Sequence, residues 1–160
     1  MSTSPDDWSP ADDLAFRIEV AGSRHPLRAA TKFIAALALA DPIDTGALEA
    51  IVTPESRATW GDFTAVRRLI DGIEAPGFAS HIPRSTPEDA DVAQVFIVTG
   101  VTAVTNLEPG DYVDATAVMT LVWRPEVDSW LVHAVGAPVA PDQLGHARTA
   151  PGSAPDWRSA

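Results

Sequence analysis

The spacing of apolar residues changes partway along the chain, from a helical period to a strand period. Over Pro26–Ala40, apolar residues recur every three or four positions and cover most of the circumference, which is typical of a helix that packs centrally. Its main stripe consists of Leu27, Ala30, Ile34 and Leu37. A proline suits the first helical position, and the Asp-Pro pair that follows the stretch is expected to end the helix.

Two shorter helices are predicted after this one. The first runs from residue 44 or 45 to about Val52 and ends at a Thr-Pro pair. The second covers Phe63–Asp71, where Asp62 is well placed as the N-cap and Gly72 as the residue after the last turn. The first half of the chain is therefore predicted to be helical.

The second half of the chain has the composition of β-strands, being rich in Val, Thr, Ile and Trp. The predicted strands are Phe78–Ile82, Gln94–Thr105, Tyr112–Trp123 and Trp130–Val135, and an alternating stretch at 14–20 predicts a further short strand or extended arm. Helices followed by an antiparallel meander indicate an α+β fold. We therefore predict three N-terminal helices packed on the concave face of a strongly curved antiparallel sheet, in the shape of a cone.

The turns between the strands predict which residues pair. A Pro-Gly pair between the second and third predicted strands is a tight-turn signal, and a turn there places Thr99 opposite Thr120. A short loop before the last strand places Trp123 opposite Trp130 and Thr120 opposite His133. Because side chains alternate between the faces of a sheet, the inner face is then predicted to contain Phe96, Val98, Met119, Leu121, Trp123 and Trp130.

The outer face of the predicted sheet is β-branched and threonine-rich instead of charged. A sheet surface in water normally carries lysine and glutamate, so a wide patch of Val, Leu and Thr indicates contact with another subunit. The alternative is that the helices or the terminal segments cover this face. We predict a homodimer joined through the outer face, with the interface residues Thr99, Val101, Val118, Thr120, Val122, Leu131 and His133.

Length and charge limit the remaining choices. The 160 residues suffice for one domain, placed at 14–137 between flexible tails at 1–13 and 138–160, with Trp157 as the one tail residue expected to dock. With 11 basic and 22 acidic residues the formal charge is −11, which disfavours binding to nucleic acid and to anionic membranes. The absence of cysteine excludes disulfides and thiolate chemistry. No signal-peptide or membrane-spanning pattern is present, so a cytoplasmic location is the default expectation.

Three features of the chain together resemble a known superfamily. They are the long helix ending at Asp41, the segment from Val52-Thr53-Pro54-Glu55 to Trp60-Gly61-Asp62-Phe63, and the meander ending Ser129-Trp130-Leu131-Val132-His133. Over about residues 25–137 the pattern resembles the nuclear transport factor 2-like superfamily, which includes the SnoaL-like polyketide cyclases. The resemblance implies dimerisation through the sheet and an apolar pocket between helices and sheet. It does not fix a function, because some members are isomerases, dehydratases, cyclases or epoxide hydrolases and others only bind ligands or partners.

Candidate catalytic side chains are few. Asp62, His81 and His133 are the candidates for proton transfer, although an Asp before a helix is more often a cap and a His on a strand is more often a packing residue. No spacing typical of a metal site, a nucleotide-binding loop or a nucleophile elbow occurs, so we expect no metal and no cofactor. The residues expected around an apolar pocket are Phe33, Trp60, Met119, Trp123 and Trp130.

These observations leave three functions open. The first is a domain that binds a small apolar or weakly polar molecule, or whose pocket is filled and which acts structurally. The second is a small-molecule isomerase, dehydratase or cyclase that uses an Asp or His in the cone. The third is an adaptor that binds another protein through the sheet face. An open cavity faced by a buried His or Asp would favour the enzyme, so the sequence alone does not decide whether the chain is one.

Overall fold

The computed structural model describes residues 24–74, 79–86, 89–99, 117–144 and 154–157. The helices in these ranges are α1 (Pro26–Leu39), α2 (Thr45–Glu49), α3 (Arg57–Trp60) and α4 (Thr64–Glu74), with 3-10 turns at Pro54–Ser56, Pro125–Val127 and Pro141–Gln143. The strands are β1 (Ala79–Thr86), β2 (Asp89–Thr99), β3 (Ala117–Arg124) and β4 (Ser129–Gly136). The strands form one open antiparallel sheet in the order β1-β2-β3-β4, so the predicted α+β class is confirmed.

Helix α1 begins with a histidine cap. The Nδ1 atom of His25 accepts a hydrogen bond from the backbone N–H of Leu27 at 3.1 Å, and a proline occupies the first helical position. The predicted apolar stripe is buried, together with Phe33. The long helix predicted from the apolar spacing is therefore confirmed.

Helix α4 extends further than predicted. Gly72 lies inside it rather than after its last turn, and the helix continues to Glu74. Ile73 is 4% exposed and belongs to the core, so its burial outweighs the cost of about 1 kcal/mol that glycine adds to a helix interior. The helix begins at Thr64, one residue later than predicted, because Phe63 has a φ of 63° and its carbonyl accepts the first helical hydrogen bond, from Arg67. Asp62 therefore lies one position before the N-cap, and its Oδ1 atom accepts a hydrogen bond from the N–H of Thr64 at 3.0 Å.

The register between β2 and β3 differs from the predicted one. Thr120 pairs with Gln94 and not with Thr99, which is a shift of five residues along β2. Thr99 instead pairs with Ala79 of β1. The pairing of β2 with β3 ends at Ile97, which leaves more chain between these strands than the tight turn assumed by the prediction would occupy.

This shift exchanges the two faces of β2 because it is an odd number of residues. Val95 and Ile97 are fully buried in the core beneath the helices. Phe96 and Val98 are absent from that core cluster, so the prediction that they belong to the inner face is wrong. For β3 and the start of β4 the predicted inner face is confirmed, with Met119, Leu121, Trp123 and Trp130 in the core.

A β-bulge in β4 changes the pairing at His133. Trp123 pairs with Trp130 as predicted, but Thr120 pairs with Ala134 because the register shifts by one residue at this point. The predicted pairing of Thr120 with His133 is therefore wrong. His133 is the additional residue of the bulge, which is a position where strands often redirect a side chain.

A short parallel bridge extends the sheet beyond β4. Val52 pairs with Val132, the N–H of Thr53 donates to the carbonyl of Val132 at 2.9 Å, and the N–H of Val132 donates to the carbonyl of Ile51 at 3.0 Å. This bridge brings the 3-10 turn Pro54–Ser56 to the side of β4, next to the bulge.

The second face of the sheet, which faces away from the helices and was predicted as the outer face, is covered in part by the chain that follows β4. Val92 and Val122 form a small buried cluster with Leu144, against which Val139 packs. The N–H of Val139 also donates to the Oγ1 atom of Thr120 at 3.3 Å. The sequence left open that helices or terminal segments cover this face. A segment that follows β4 covers at least part of it.

Most of the predicted interface residues are accordingly buried within the single chain. Val118, Thr120, Val122 and Leu131 are each less than a tenth exposed. Val101 lies outside the described residues. The burial of these side chains does not depend on a second subunit.

The C-terminal segment also returns to the domain further along. The N–H of Ala154 donates to the Oδ1 atom of Asp91 at 2.9 Å, and the ring of Trp157 makes a T-shaped contact with His25 at 5.1 Å. The segment 138–160, expected to be a flexible tail, thus includes residues that pack against the rest of the chain, and the apolar surface that they bury offsets part of their ordering entropy. The tail at 1–13 and the strand at 14–20 lie outside the described residues.

Candidate functional site

A hydrogen-bonded cluster lies at the bulge of β4 and consists of Thr53, Ser56, Trp60 and His133, here called the His133 cluster. The Nδ1 atom of His133 is 2.8 Å from the Oγ1 atom of Thr53. The Oγ1 atom of Thr53 donates to the Oγ atom of Ser56 at 2.9 Å, and the indole N–H of Trp60 donates to the same Oγ atom at 2.9 Å. Thr53 and Ser56 are buried, and the His133 side chain is 16% exposed.

The two hydroxyl groups indicate where His133 carries its proton. The Oγ atom of Ser56 donates to the carbonyl of Thr53 at 2.9 Å, and the single hydroxyl proton of Thr53 is used towards Ser56. The Nδ1 atom of His133 then has to be the donor in its contact with Thr53. By this assignment the neutral ring carries its proton on Nδ1 and has Nε2 as the acceptor nitrogen.

An ion pair lies beside the cluster. The Nη2 atom of Arg124 bonds to the Oε1 atom of Glu55, and this Oε1 atom is 3.9 Å from the Nδ1 atom of His133. The side chains of Arg124 and Glu55 are 10% and 28% exposed, so the pair is partly shielded from water. A carboxylate close to Nδ1 agrees with the assignment of a proton to that atom.

An open groove of about 280 Å³ begins at the cluster, here called the His133 groove. The described residues that line it are Thr59, Trp60, Ala65, Val66, Leu69, His133, Ala134 and Val135. His133 is the only titratable side chain among them, and most of the others are apolar. Small-molecule sites usually have this composition, with apolar walls and few polar groups.

Trp60, which forms one wall of this groove, is held between two phenyl rings. Its centroid is 5.4 Å from that of Phe33 and 5.7 Å from that of Phe63, on which it stacks at 15°. The turn before α4 requires positive φ angles at Gly61 (58°) and Phe63 (63°). Such a φ costs an aromatic residue roughly 1–3 kcal/mol, and the full burial of Phe63 offsets this cost.

A second groove of about 610 Å³ lies between α1 and the start of β4, here called the Arg28 groove. Its described lining residues are Arg28, Ala29, Lys32, Ala50, Ile51, Val127, Asp128, Ser129, Trp130 and Leu131. None of the three candidate catalytic residues is among them. This groove combines basic side chains with an apolar wall, unlike the His133 groove.

Asp62 accepts a hydrogen bond from the first residue of α4 and lines neither groove. The hydrogen bond from the N–H of Thr64 lowers the pKa of the Asp62 carboxyl group, and Arg68 contributes in the same direction. The side chain is exposed, and a carboxylate with a lowered pKa is a weaker base. The hydrogen bond from Thr64 accounts for the position of this residue.

His81 and His133 lie at opposite edges of the sheet. His81 is in β1 and His133 is in β4, which are the two outer strands of the order β1-β2-β3-β4. Three strand spacings of about 4.8 Å put the strands roughly 14 Å apart. The structure therefore does not bring Asp62, His81 and His133 together into one acid–base site.

The residues expected around an inner pocket divide between the core and the grooves. Phe33, Met119 and Trp123 are buried in the core and line neither groove. Trp60 lines the His133 groove and Trp130 lines the Arg28 groove. The cross-strand contact of Trp123 with Trp130 is T-shaped at 5.7 Å, so packing accounts for this pair.

Sequence reasoning did not identify Thr53, Ser56 or Arg28 as site residues. The Thr-Pro pair indicated only the end of a helix, and no local signal joins Thr53 to His133, which is 80 positions later. The basic pair of Arg28 and Lys32 was visible in the sequence as neighbours on one helical face. Only the packing of α1 beside β4 shows that these two basic side chains border an apolar groove.

Comparisons with protein-family models, with curated proteins and with solved structures find no match for this chain. Among the described residues, no group of three or more histidine or acidic side chains is arranged to hold a metal ion. None of the described helices combines the length and the apolar character that a bilayer-spanning segment needs. The function is therefore inferred from the geometry of the two grooves.

Proposed function

We propose that the chain binds a small, mainly apolar molecule in the His133 groove. The observation that carries the proposal is the histidine ring held by Thr53 at the edge of a groove whose other walls are mostly apolar. A site of this kind suits a ligand with one hydroxyl group on an apolar body. The volume of about 280 Å³ is near the lower end of the usual range of roughly 300–1,000 Å³, so the ligand is small.

The rigidity of the aromatic wall supports this proposal. Trp60 is fixed by stacking on Phe63 and by the hydrogen bond of its indole N–H to Ser56. A side chain that is already ordered loses little conformational entropy when a ligand binds. Contact with the indole face then supplies apolar area at low cost.

Isomerase, dehydratase or cyclase activity is the weaker alternative. Of the three candidate residues, His133 lines one of the two grooves described above, and Asp62 and His81 line neither. General acid–base catalysis usually needs more than one positioned group, and neither Glu55 nor Arg124 is among the residues that line the His133 groove. Binding without chemistry is the function that the geometry supports best.

The nuclear transport factor 2-like cone is proposed as the fold family. Helices that cover one face of an antiparallel sheet support it, and an experimental structure with a flat sheet would contradict it. A cytoplasmic location also stays a prediction of the sequence.

A homodimer or a protein adaptor acting through the second sheet face stays a proposal with less support. Val118, Thr120, Val122 and Leu131 are already buried within one chain, which reduces the apolar surface available to a partner. Sedimentation at micromolar concentration distinguishes a dimer from a monomer.

The binding proposal is tested by titrating the full chain with phenol or with toluene. Two-dimensional amide NMR spectra detect the binding. Phenol is expected to shift the amides of Trp60, Leu69 and Val135, and to bind about threefold more tightly than toluene because its hydroxyl meets His133. The variant H133F is expected to lose this preference. The matched variant H81F, at the opposite edge of the sheet, is expected to keep it.

Two results would contradict the binding proposal. One is that phenol shifts amides elsewhere and leaves those of the His133 groove unchanged. The other is an equal preference for phenol in wild type and in H133F. If H133F does not fold, H133L replaces it, because leucine also lacks any group that can hydrogen-bond to the phenol hydroxyl.

A further inference from the structure

We propose that the Arg28 groove is a second binding site, which takes a small amphiphilic carboxylate. The groove pairs two basic side chains on α1 with apolar side chains from the chain after α2 and from β4. It has no residue in common with the His133 groove, so this proposal does not depend on the first.

The basic side chains of the groove have no acidic partner within the described residues. Arg28 and Lys32 are four positions apart on α1, where side chains are neighbours, and both are exposed. The ion pairs of described arginines join Arg24, Arg67 and Arg124 to carboxylates, and neither Arg28 nor Lys32 takes part in one. In a chain with twice as many acidic as basic residues, such a pair is available to bind an external anion.

Asp128, the one acidic side chain among the described lining residues, is paired with Arg24. The Oδ2 atom of Asp128 is 3.3 Å from the Nη2 atom of Arg24. The carbonyl of Arg24 accepts a hydrogen bond from the indole N–H of Trp130 at 2.9 Å, which fixes the backbone of Arg24 beside the groove. Among the described residues of the groove, the charge left without a partner is therefore positive.

The remaining walls of the groove are apolar. Ile51 and Leu131 contribute aliphatic surface, and Val127, which is 56% exposed, adds to it. The volume of about 610 Å³ is well within the range of ligand sites, roughly 300–1,000 Å³. An apolar body can therefore lie against these side chains while its charged end meets Arg28 and Lys32.

The charge of the whole chain selects a monoanion. A formal charge of −11 repels multiply charged ligands such as nucleotides and polyphosphates. A single carboxylate suffers less from this repulsion and forms charge-assisted hydrogen bonds with a guanidinium or ammonium group. The apolar body supplies the remaining affinity.

The test compares 4-phenylbutyrate with 4-phenylbutyramide, which has the same apolar body without the charge, by amide NMR titration of the full chain. The carboxylate is expected to shift the amides of Ile51, Ser129 and Leu131, and to bind about tenfold more tightly than the amide. Each of R28Q and K32Q is expected to weaken carboxylate binding about threefold and to leave amide binding unchanged. The matched variant R68Q removes an exposed charge on α4, away from the groove, and is expected to bind like wild type.

Four outcomes would overturn this proposal. The first is equal affinity for the carboxylate and the amide. The second is that R68Q weakens binding as much as R28Q, which would indicate a general charge effect. The third is a stable dimer that buries the groove amides, which would assign the groove to a second copy of the chain. Shifts in the amides of Trp60, Leu69 and Val135 alone would overturn it while leaving the His133 groove proposal intact.

Discussion

His25 caps α1 through a nitrogen atom that has to be unprotonated. Its Nδ1 atom accepts the hydrogen bond from Leu27, and the side chain is buried beneath Trp157. Burial lowers the pKa of His25 because the charged imidazolium loses hydration. Protonation would also convert the acceptor into a donor that faces another donor.

This cap predicts a pH dependence of stability. As pH falls, the unfolded chain gains a proton on His25 at a pKa near 6.5, before the folded chain does, so unfolding becomes easier. The contribution of His25 is fully present above about pH 6.5 and is lost progressively as pH falls below that value towards the lower pKa of the folded state. Urea unfolding at pH 7.5, 6.5 and 5.5 measures this loss of unfolding free energy.

The control for this pH dependence is H25N, which keeps a capping acceptor but does not titrate. The difference in unfolding free energy between wild type and H25N should shrink or reverse at pH 5.5 relative to pH 7.5. A difference that stays constant over this range would show that the cap is not linked to protonation.

At the scale of elements, two glycines in and next to α4 have opposite structural roles. Gly61 has φ 58° and ψ −127° in the turn before α4, a conformation that other residues rarely adopt. Gly72 lies within α4, where alanine is the better helix former. A Cβ atom would meet no atom within 4 Å at either position, so backbone conformation alone decides the effect.

The same substitution at these two sites is therefore expected to change stability in opposite directions. G61A should lower the free energy of unfolding by roughly 1–3 kcal/mol, and G72A should raise it by roughly 0.5–1 kcal/mol. Thermal and urea unfolding of both variants provide the measurement. Destabilisation of similar size in both would mean that a neighbouring contact, and not φ, determines the outcome.

At the scale of the whole molecule, the chain after β4 is part of the fold. Leu144 is 6% exposed and closes the cluster of Val92 and Val122 on the second sheet face. L144A is expected to lower the free energy of unfolding by about 2 kcal/mol, at the lower end for buried leucine because the cluster is small. Leu39 is 86% exposed, so the matched variant L39A should change stability by less than about 0.5 kcal/mol.

The outcome for L144A also bears on association. Loss of this side chain uncovers valines of the second face, so the variant is expected to self-associate more strongly than wild type in sedimentation. An L144A variant as stable as wild type would mean that the segment after β4 does not contribute to the fold.

Local patterns were sufficient for α1 and for the hydrogen bond at the start of α4. The apolar spacing of α1, its N-terminal proline and the bond between Asp62 and Thr64 all concern residues within a few positions of each other, and interactions at that range are encoded in short stretches of sequence. The pairing of Trp123 with Trp130 was also predictable, because a short loop fixes it. The end of α4 was not predictable, because burial of Ile73 against the core overrides the preference of Gly72.

The sequence by itself determined the α+β class, the long central helix and the aromatic inner face of the last hairpin. Only the tertiary structure decided the register of β2 against β3, the bulge at His133 and the covering of the second face by Val139 and Leu144. The physical reason is distance along the chain. Contacts between residues far apart depend on how whole elements pack and not on local conformational preference. The two proposed grooves arise in the same way, from side chains that only the folded chain brings together.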